Sequence, residues 1–80
     1  MNDFEKITAL KKILFKHTML IELKEDYQIL INNVFKELYT TTNFQKKDKL
    51  KIYIDSYSII IAELNKKIDN ITNEIIEIIK

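Results

Sequence analysis

Nine apolar residues in the last third of the chain follow one another in alternating steps of four and three, and this spacing constrains the fold more than any other feature. They are Leu50, Ile54, Tyr57, Ile61, Leu64, Ile68, Ile71, Ile75 and Ile78. Such steps trace a heptad seam, the pattern with which one α-helix packs lengthwise against another. We therefore expect an all-α fold that is stabilised by contacts between helices.

The chain contains neither glycine nor proline, so long helices joined by a short polar connection are expected. The clearest interruption is Thr40-Thr41-Thr42-Asn43, because these residue types favour helix ends over helix interiors. We predict a single helical domain over 1–80, with helices at about 4–40 and 44–79. Asp3 is the predicted N-cap of the first helix, and either Thr42, in a capping box with Gln45, or Asn43 caps the second.

The first helix carries two apolar stripes, which together form a broad face. One stripe comprises Ile7, Leu10, Leu14, Ile21, Ile31, Phe35 and Leu38, and the other comprises Ile13, Leu20, Leu23, Tyr27, Leu30 and Val34. His17, Lys24 and Gln28 fall on the first stripe and weaken it. A broad face of this kind is typical of a bundle helix that contacts two neighbours.

Two architectures are compatible with these patterns. One is an antiparallel hairpin of two long helices, and the other is a small bundle of three or four helices. The bundle requires breaks near 25, where Asp26 would cap a new helix, and near 71, where Thr72 would do so. The polar positions of the first stripe favour the break near 25, whereas the uninterrupted Ile seam argues against the one near 71.

Composition narrows the functional classes. The net charge is +1, all thirteen basic residues are lysine, and cysteine is absent. The low net charge and the lack of arginine argue against a nucleic-acid partner, and the lack of cysteine excludes disulfides and thiolate chemistry. The N-terminal pattern is not that of a secretory signal, and no apolar run is long enough to form a transmembrane segment. We therefore expect a cytoplasmic protein. The high content of Ile, Lys and Asn further indicates a low-G+C organism.

Nothing in the sequence forms a catalytic or metal-binding motif. His17 is the single histidine and has no nucleophile close to it in the sequence. The carboxylate pairs Glu22/Glu25 and Glu74/Glu77 lack the Glu-x-x-His partner of bundle metal sites. We therefore predict no enzyme activity, no cofactor and no metal.

One region of the second helix is the candidate partner-binding surface. It comprises Phe44, Lys46, Lys47, Lys49, Lys51, Ile52, Tyr53, Ile59 and Ile60. The lysines gather just after the turn, and the apolar residues lie off the main seam. Packing of two helices alone would leave these apolar side chains exposed, so they contact either further helices or a partner.

Residues 20–80 resemble a known family in their helix pattern. The matching segments are Leu23-Lys24-Glu25-Asp26-Tyr27-Gln28-Ile29-Leu30, Val34-Phe35-Lys36-Glu37-Leu38, Phe44, the helix through Ile54, Ile61 and Leu64, and Thr72-Asn73-Glu74-Ile75-Ile76-Glu77-Ile78-Ile79. This layout is similar to that of the immunity proteins of class IIa (pediocin- and enterocin-like) bacteriocins. The resemblance implies an antiparallel four-helix bundle in the cytoplasm. It also implies protection of the producer cell through the bacteriocin-bound mannose permease of its membrane.

The leading functional hypothesis is a non-enzymatic, helical protein-binding module, with bacteriocin immunity as its sharpest form. One alternative is a small accessory or inhibitor protein encoded by a phage or plasmid. Another is a dimeric helical hairpin that binds nucleic acid through its lysine clusters, which predicts strong salt dependence. A self-assembling coiled coil is a further alternative, because the seam does not specify the number of strands.

Overall fold

The computed structural model describes residues 2–80 and contains two long helices, α1 (Asp3–Thr40) and α2 (Phe44–Ile79). Residues 41–43 join them, and the helices run antiparallel as a hairpin. The backbone measures 62 × 14 × 12 Å, with a radius of gyration of 18.2 Å. A spherical domain of this length has a radius of gyration of about 12 Å, so the molecule is a rod. The predicted all-α hairpin is confirmed, whereas residues 2–80 do not form a three- or four-helix bundle.

Asparagine caps the start of each helix. The Asn2 side-chain oxygen accepts the backbone N–H of Glu5 at 2.8 Å, and that of Asn43 accepts the N–H of Lys46 at 3.1 Å. The prediction of Asp3 as the first cap is therefore wrong by one residue. For α2 the Asn43 alternative is confirmed, and the Thr42 capping box is not formed.

Both helices are continuous where breaks were considered. α1 passes through 25 without interruption, and Glu25 and Asp26 are solvent-exposed. In α2 the Thr72 hydroxyl donates a hydrogen bond to the carbonyl of Ile68 at 2.9 Å, so it bonds back into its own helix. Thr72 therefore does not cap a separate helix, and the structure contains neither break.

The core is the seam between the helices. Its most buried members are Leu50, Leu64 and Ile71, each 5% exposed, and all three belong to the predicted heptad seam of α2. The other six seam residues of α2 are half-buried. The seam of α2 was thus predicted correctly.

The seam of α1 takes residues from both predicted stripes. It consists of Leu10, Ile13, His17, Leu20, Lys24, Tyr27, Ile31, Val34 and Leu38, all half-buried. Tyr27 meets Tyr57 of α2, with ring centroids 5.9 Å apart. Ile7, Leu14 and Phe35 were predicted to lie on the seam, but they are at its edge and partly exposed. The helical period explains this, because Leu14 and Phe35 are rotated towards solvent by about 40° from Leu10 and Ile31, and Ile7 by about 60° from Leu10.

Candidate partner-binding surface

The beginning of α2 forms a lysine-rich tip, defined as Phe44, Lys46, Lys47, Lys49 and Lys51. Phe44 is 81% exposed, and the Lys47 ammonium lies 5.7 Å from the centre of its ring, within range of a cation–π contact. Lys49 and Lys51 are exposed, and neither takes part in the ion pairs found among residues 2–80. The tip therefore presents positive charge beside an uncovered aromatic ring.

Two features set the electrostatics of this tip. Lys46 pairs with Glu37 of α1 at 2.9 Å, which ties the start of α2 to the end of α1. The first turn of α2 contains no acidic residue, although a helix N-terminus carries partial positive charge and favours acidic side chains. The lysines add to that partial charge and slightly destabilise the helix start, so the tip is suited to an anionic group.

A second part of the predicted surface, the Ile52 patch, comprises Ile52, Tyr53, Ile59 and Ile60. Ile52 and Ile59 are 62% and 66% exposed and lie two turns apart on the side of α2 that faces away from α1. Tyr53 is half exposed and stacks on the seam residue Tyr57, with ring centroids 6.3 Å apart. Because that contact restricts its ring, Tyr53 is positioned before any partner arrives.

The predicted surface is only partly free. Lys47 and Ile60 are half-buried, because Lys47 continues the seam towards the turn and Ile60 lies beside it. Phe44, Lys46, Lys49, Lys51, Ile52, Tyr53 and Ile59 are exposed. The tip and the patch follow each other along one helix, and a binding segment of about 24 Å would cover Phe44 to Ile60.

Sequence reasoning missed the exposed apolar residues of α1, which outnumber those of the predicted surface. Exposed members are Phe4, Ile7, Leu14, Phe15, Met19, Leu23, Ile29, Leu30 and Tyr39. Four of these nine residues, namely Ile7, Leu14, Leu23 and Leu30, were assigned to one of two stripes that could both face a neighbour. The width of the α2 seam could have identified them. That seam is narrow, so a single line of residues on α1 is enough to cover it, and the other apolar residues of α1 stay exposed.

The polar groups near the seam form a local hydrogen-bond chain. His17 Nε2 lies 3.2 Å from the Thr72 hydroxyl oxygen, and that hydroxyl donates its proton to Ile68, so the imidazole is the donor. A shallow groove nearby is lined by Lys16, Leu20, Lys67, Asn70, Ile71 and Glu74. Residues 2–80 contain no group of three or more His, Cys, Asp or Glu side chains that could hold a metal ion.

Neither helix, over the part of the chain described, includes an apolar stretch that could cross a membrane. Comparison with known proteins gives no match: no family model fits the chain, and no curated protein or solved structure is significantly similar to it. The geometry of the surface is therefore the basis for assigning a function.

Proposed function

We propose that this protein is a non-enzymatic binding module that docks another protein onto α2 through the lysine-rich tip and the Ile52 patch. The observation that carries the proposal is the exposure of Ile52, Tyr53 and Ile59 close along α2 to the exposed Lys49 and Lys51. Large apolar side chains that lie together at a surface are typical of interaction sites. We place the protein in the cytoplasm as part of the same proposal.

The chemistry of the surface favours one kind of partner. An apolar row on a straight helix is complementary to the apolar face of another helix. The adjacent Lys49 and Lys51 favour acidic residues on that partner, because opposite charges speed association and oppose wrong registers. The expected partner is thus a protein that presents an amphipathic helix with acidic residues at one end.

The test compares two double variants that remove equal apolar surface from opposite helices. Ile52→Ser with Ile59→Ser alters the patch, whereas Phe15→Ser with Ile29→Ser alters exposed positions on the outer side of α1. Tagged proteins would be incubated with nuclease-treated, detergent-solubilised extract of low-G+C Gram-positive cells. A partner that the α1 variant retains and the α2 variant loses supports the proposal. Equal retention by both variants would refute the proposed location.

The sharper form of the proposal is bacteriocin immunity, which rests on the resemblance of residues 20–80. Expression of the chain in a sensitive strain is then expected to raise the inhibitory concentration of a class IIa bacteriocin, and the patch variant is expected to lose that protection. Unchanged sensitivity to a panel of such bacteriocins would reject immunity but leave the binding module intact. Retention of a different complex, independent of bacteriocin, would instead support an accessory inhibitor.

The exposed lysines give one specific reason to test nucleic acid as a second candidate. A labelled DNA duplex and an RNA hairpin would be titrated with the protein at low and high salt. Binding through lysine–phosphate contacts weakens steeply with salt. Absence of binding at low salt would exclude this function, and salt-sensitive binding that Lys49→Gln with Lys51→Gln abolishes would establish it.

A further inference from the structure

The rod exposes more surface than a folded monomer of its mass. Its accessible surface is 6320 Å² for 9.6 kDa. Folded monomers of this mass expose about 5,100 Å², so the excess is about 1,200 Å². Stable homodimers bury about 1,000 Å² or more on each chain. The excess therefore matches what one chain buries when it pairs with a second copy.

One line of residues on α1 provides an apolar surface of the necessary length. Ile7, Leu14, Ile21, Gln28 and Phe35 recur every seven residues along nearly the whole helix, and four of the five are apolar. We call them the Ile21 line. Ile7, Leu14 and Phe35 are between 36% and 54% exposed, and Ile21 is half-buried. Core helices of four-helix bundles carry such a third apolar line beside the seam.

Two contacts across the hairpin show which side of α2 accompanies this line. The Glu37–Lys46 ion pair lies on the side of Leu23 and Leu30. Thr72, which contacts His17, lies on the opposite side, together with the Ile21 line. The same side of α2 carries Ser58, Asn65 and Thr72 at seven-residue spacing, so its central part is polar.

We propose that two copies of this chain form an antiparallel dimer in which the Ile21 line packs against itself around a two-fold axis near Ile21. Ile7 then lies opposite Phe35 of the second copy, and Leu14 lies opposite Gln28. The ends of the face are also complementary. At each end, the exposed Phe4 meets the exposed Tyr39 of the other copy.

Charge and polarity select this orientation over the other two-fold arrangement of the same face. If the two-fold axis were parallel to the long axis of the rod, α1 of one copy would pack on α2 of the other, and Leu14 and Ile21 would face Thr72 and Asn65 of that copy. With the two-fold axis perpendicular to the rod, α1 of one copy packs on α1 of the other. Lys11 and Glu25 then face the uncharged Asn32 and Thr18 of the other copy. Ile7, Ile21 and Phe35 then meet apolar residues, Leu14 meets the uncharged Gln28, and no like charges meet on α1. The Ile52 patch stays exposed in this dimer, whereas Phe44 and Lys51 of the tip, which precede Ser58 at seven-residue spacing, lie on the dimer side of α2.

The first test measures association with matched leucine variants. Leu14 and Leu23 are both on α1 and are 48% and 43% exposed, but they lie on opposite sides of the seam. Sedimentation equilibrium is expected to show a dimer for the natural chain. Leu14→Glu should weaken association about 100-fold, since each dimer loses two leucines and gains two carboxylates in the interface, while Leu23→Glu leaves it unchanged. A natural chain that stays monomeric over a 100-fold range of concentration reaching the millimolar level would overturn the inference. A stronger effect of Leu23→Glu than of Leu14→Glu would also overturn it.

A second variant is expected to strengthen the dimer, and a stronger dimer cannot be explained by misfolding of the variant. Gln28→Leu completes the Ile21 line and is expected to tighten the dimer about tenfold, because it buries one more leucine per chain. Unchanged affinity in this variant, with helicity intact by circular dichroism, would contradict the proposed pairing.

The second test measures orientation. Because the chain has no cysteine, Glu22→Cys and Lys36→Cys each introduce a single site for a spin label on the outer side of α1. In the proposed dimer the axial distance between identical labels grows by about 3 Å per residue from the axis, so the labelled backbone positions are about 10 Å apart at 22 and about 46 Å apart at 36. Equal distances at both sites would place the axis along the rod and reject the antiparallel pairing of α1.

Discussion

The two helices have nearly the same length and share one seam, yet they differ in how completely they are covered. Every buried side chain among residues 2–80 belongs to α2, whereas α1 contains none. The seam of α2 is apolar from Leu50 to Ile78, while that of α1 includes His17 and Lys24. One neighbour thus covers the seam of α2, whereas the apolar residues of α1 extend to both sides of the contact. One contact between two helices can therefore bury the seam of one helix more completely than the seam of the other.

Shortening a side chain at the centre of the α2 seam is expected to have the largest effect on the free energy of unfolding. Leu64→Ala removes a side chain that is 5% exposed and should lower the free energy of unfolding by about 2–5 kcal/mol. This loss is a large part of the total free energy of unfolding, which is about 4–12 kcal/mol for a domain of this size. Urea denaturation measures the change. The same substitution at Leu30, 44% exposed on α1, serves as control, and an equal loss there would mean that α1 is as well covered as α2.

Capping is expected to have the next largest effect. Asn43→Ala removes the acceptor for the Lys46 N–H and should destabilise the protein by about 1 kcal/mol. Thr42→Ala is the matched control at the neighbouring residue, and little change is expected because Thr42 does not cap α2. Thermal melts of both variants decide the point. A larger loss in Thr42→Ala would restore the capping box predicted from sequence.

Replacing a polar residue of the α1 seam should make the two helices more alike. Lys24 is half-buried opposite α2, so Lys24→Leu is expected to raise the free energy of unfolding by about 1 kcal/mol. Lys12 is exposed, and Lys12→Leu should stay within about 0.5 kcal/mol of the natural chain. If urea denaturation shows no gain for Lys24→Leu, the polar residue is not what weakens the α1 seam.

The ion pair at the tip should contribute least. The Glu37 and Lys46 side chains are each 49% exposed, so solvent screens their attraction. Glu37→Gln is expected to cost less than about 0.5 kcal/mol, and the difference from the natural chain should vanish in 1 M salt. Lys66 and Glu63, which form an exposed pair within α2, offer the comparison, with Glu63→Gln expected to show a similar small change. A loss that persists at high salt would show that Glu37 acts through packing.

The sequence was sufficient to predict the fold class, the position of the turn and the α2 seam. It was insufficient for α1, because apolar residues occupy three adjacent lines there and only contact with α2 selects one of them. The helix breaks considered near 25 and 71 are absent for a related reason. Polar residues such as Asp26 and Thr72 suit both a helix end and a solvated helix surface, and a continuous neighbouring helix favours the second.

The candidate surface was predictable only in part. Ile52 and Ile59 lie opposite a well-defined seam, so their exposure followed directly from the heptad pattern. Lys47 and Ile60 were harder to place, because residues at the margin of a seam are covered to an extent that depends on the crossing of the two helices. The exposed residues of α1, including Leu14 and Leu23, could not be identified until the seam was known.

The short connection between the helices also orders the events of folding. Glu37 and Lys46 are nine residues apart along the chain, whereas His17 and Thr72 are separated by 55. Closing a short loop costs less entropy than closing a long one, so contacts at the turn form first and each new layer brings the next into reach. We expect the hairpin to close from the turn towards its open end like a zipper. Side chains near Leu50 then govern how fast the chain folds, and those near Leu10 and Ile75 govern how fast it opens.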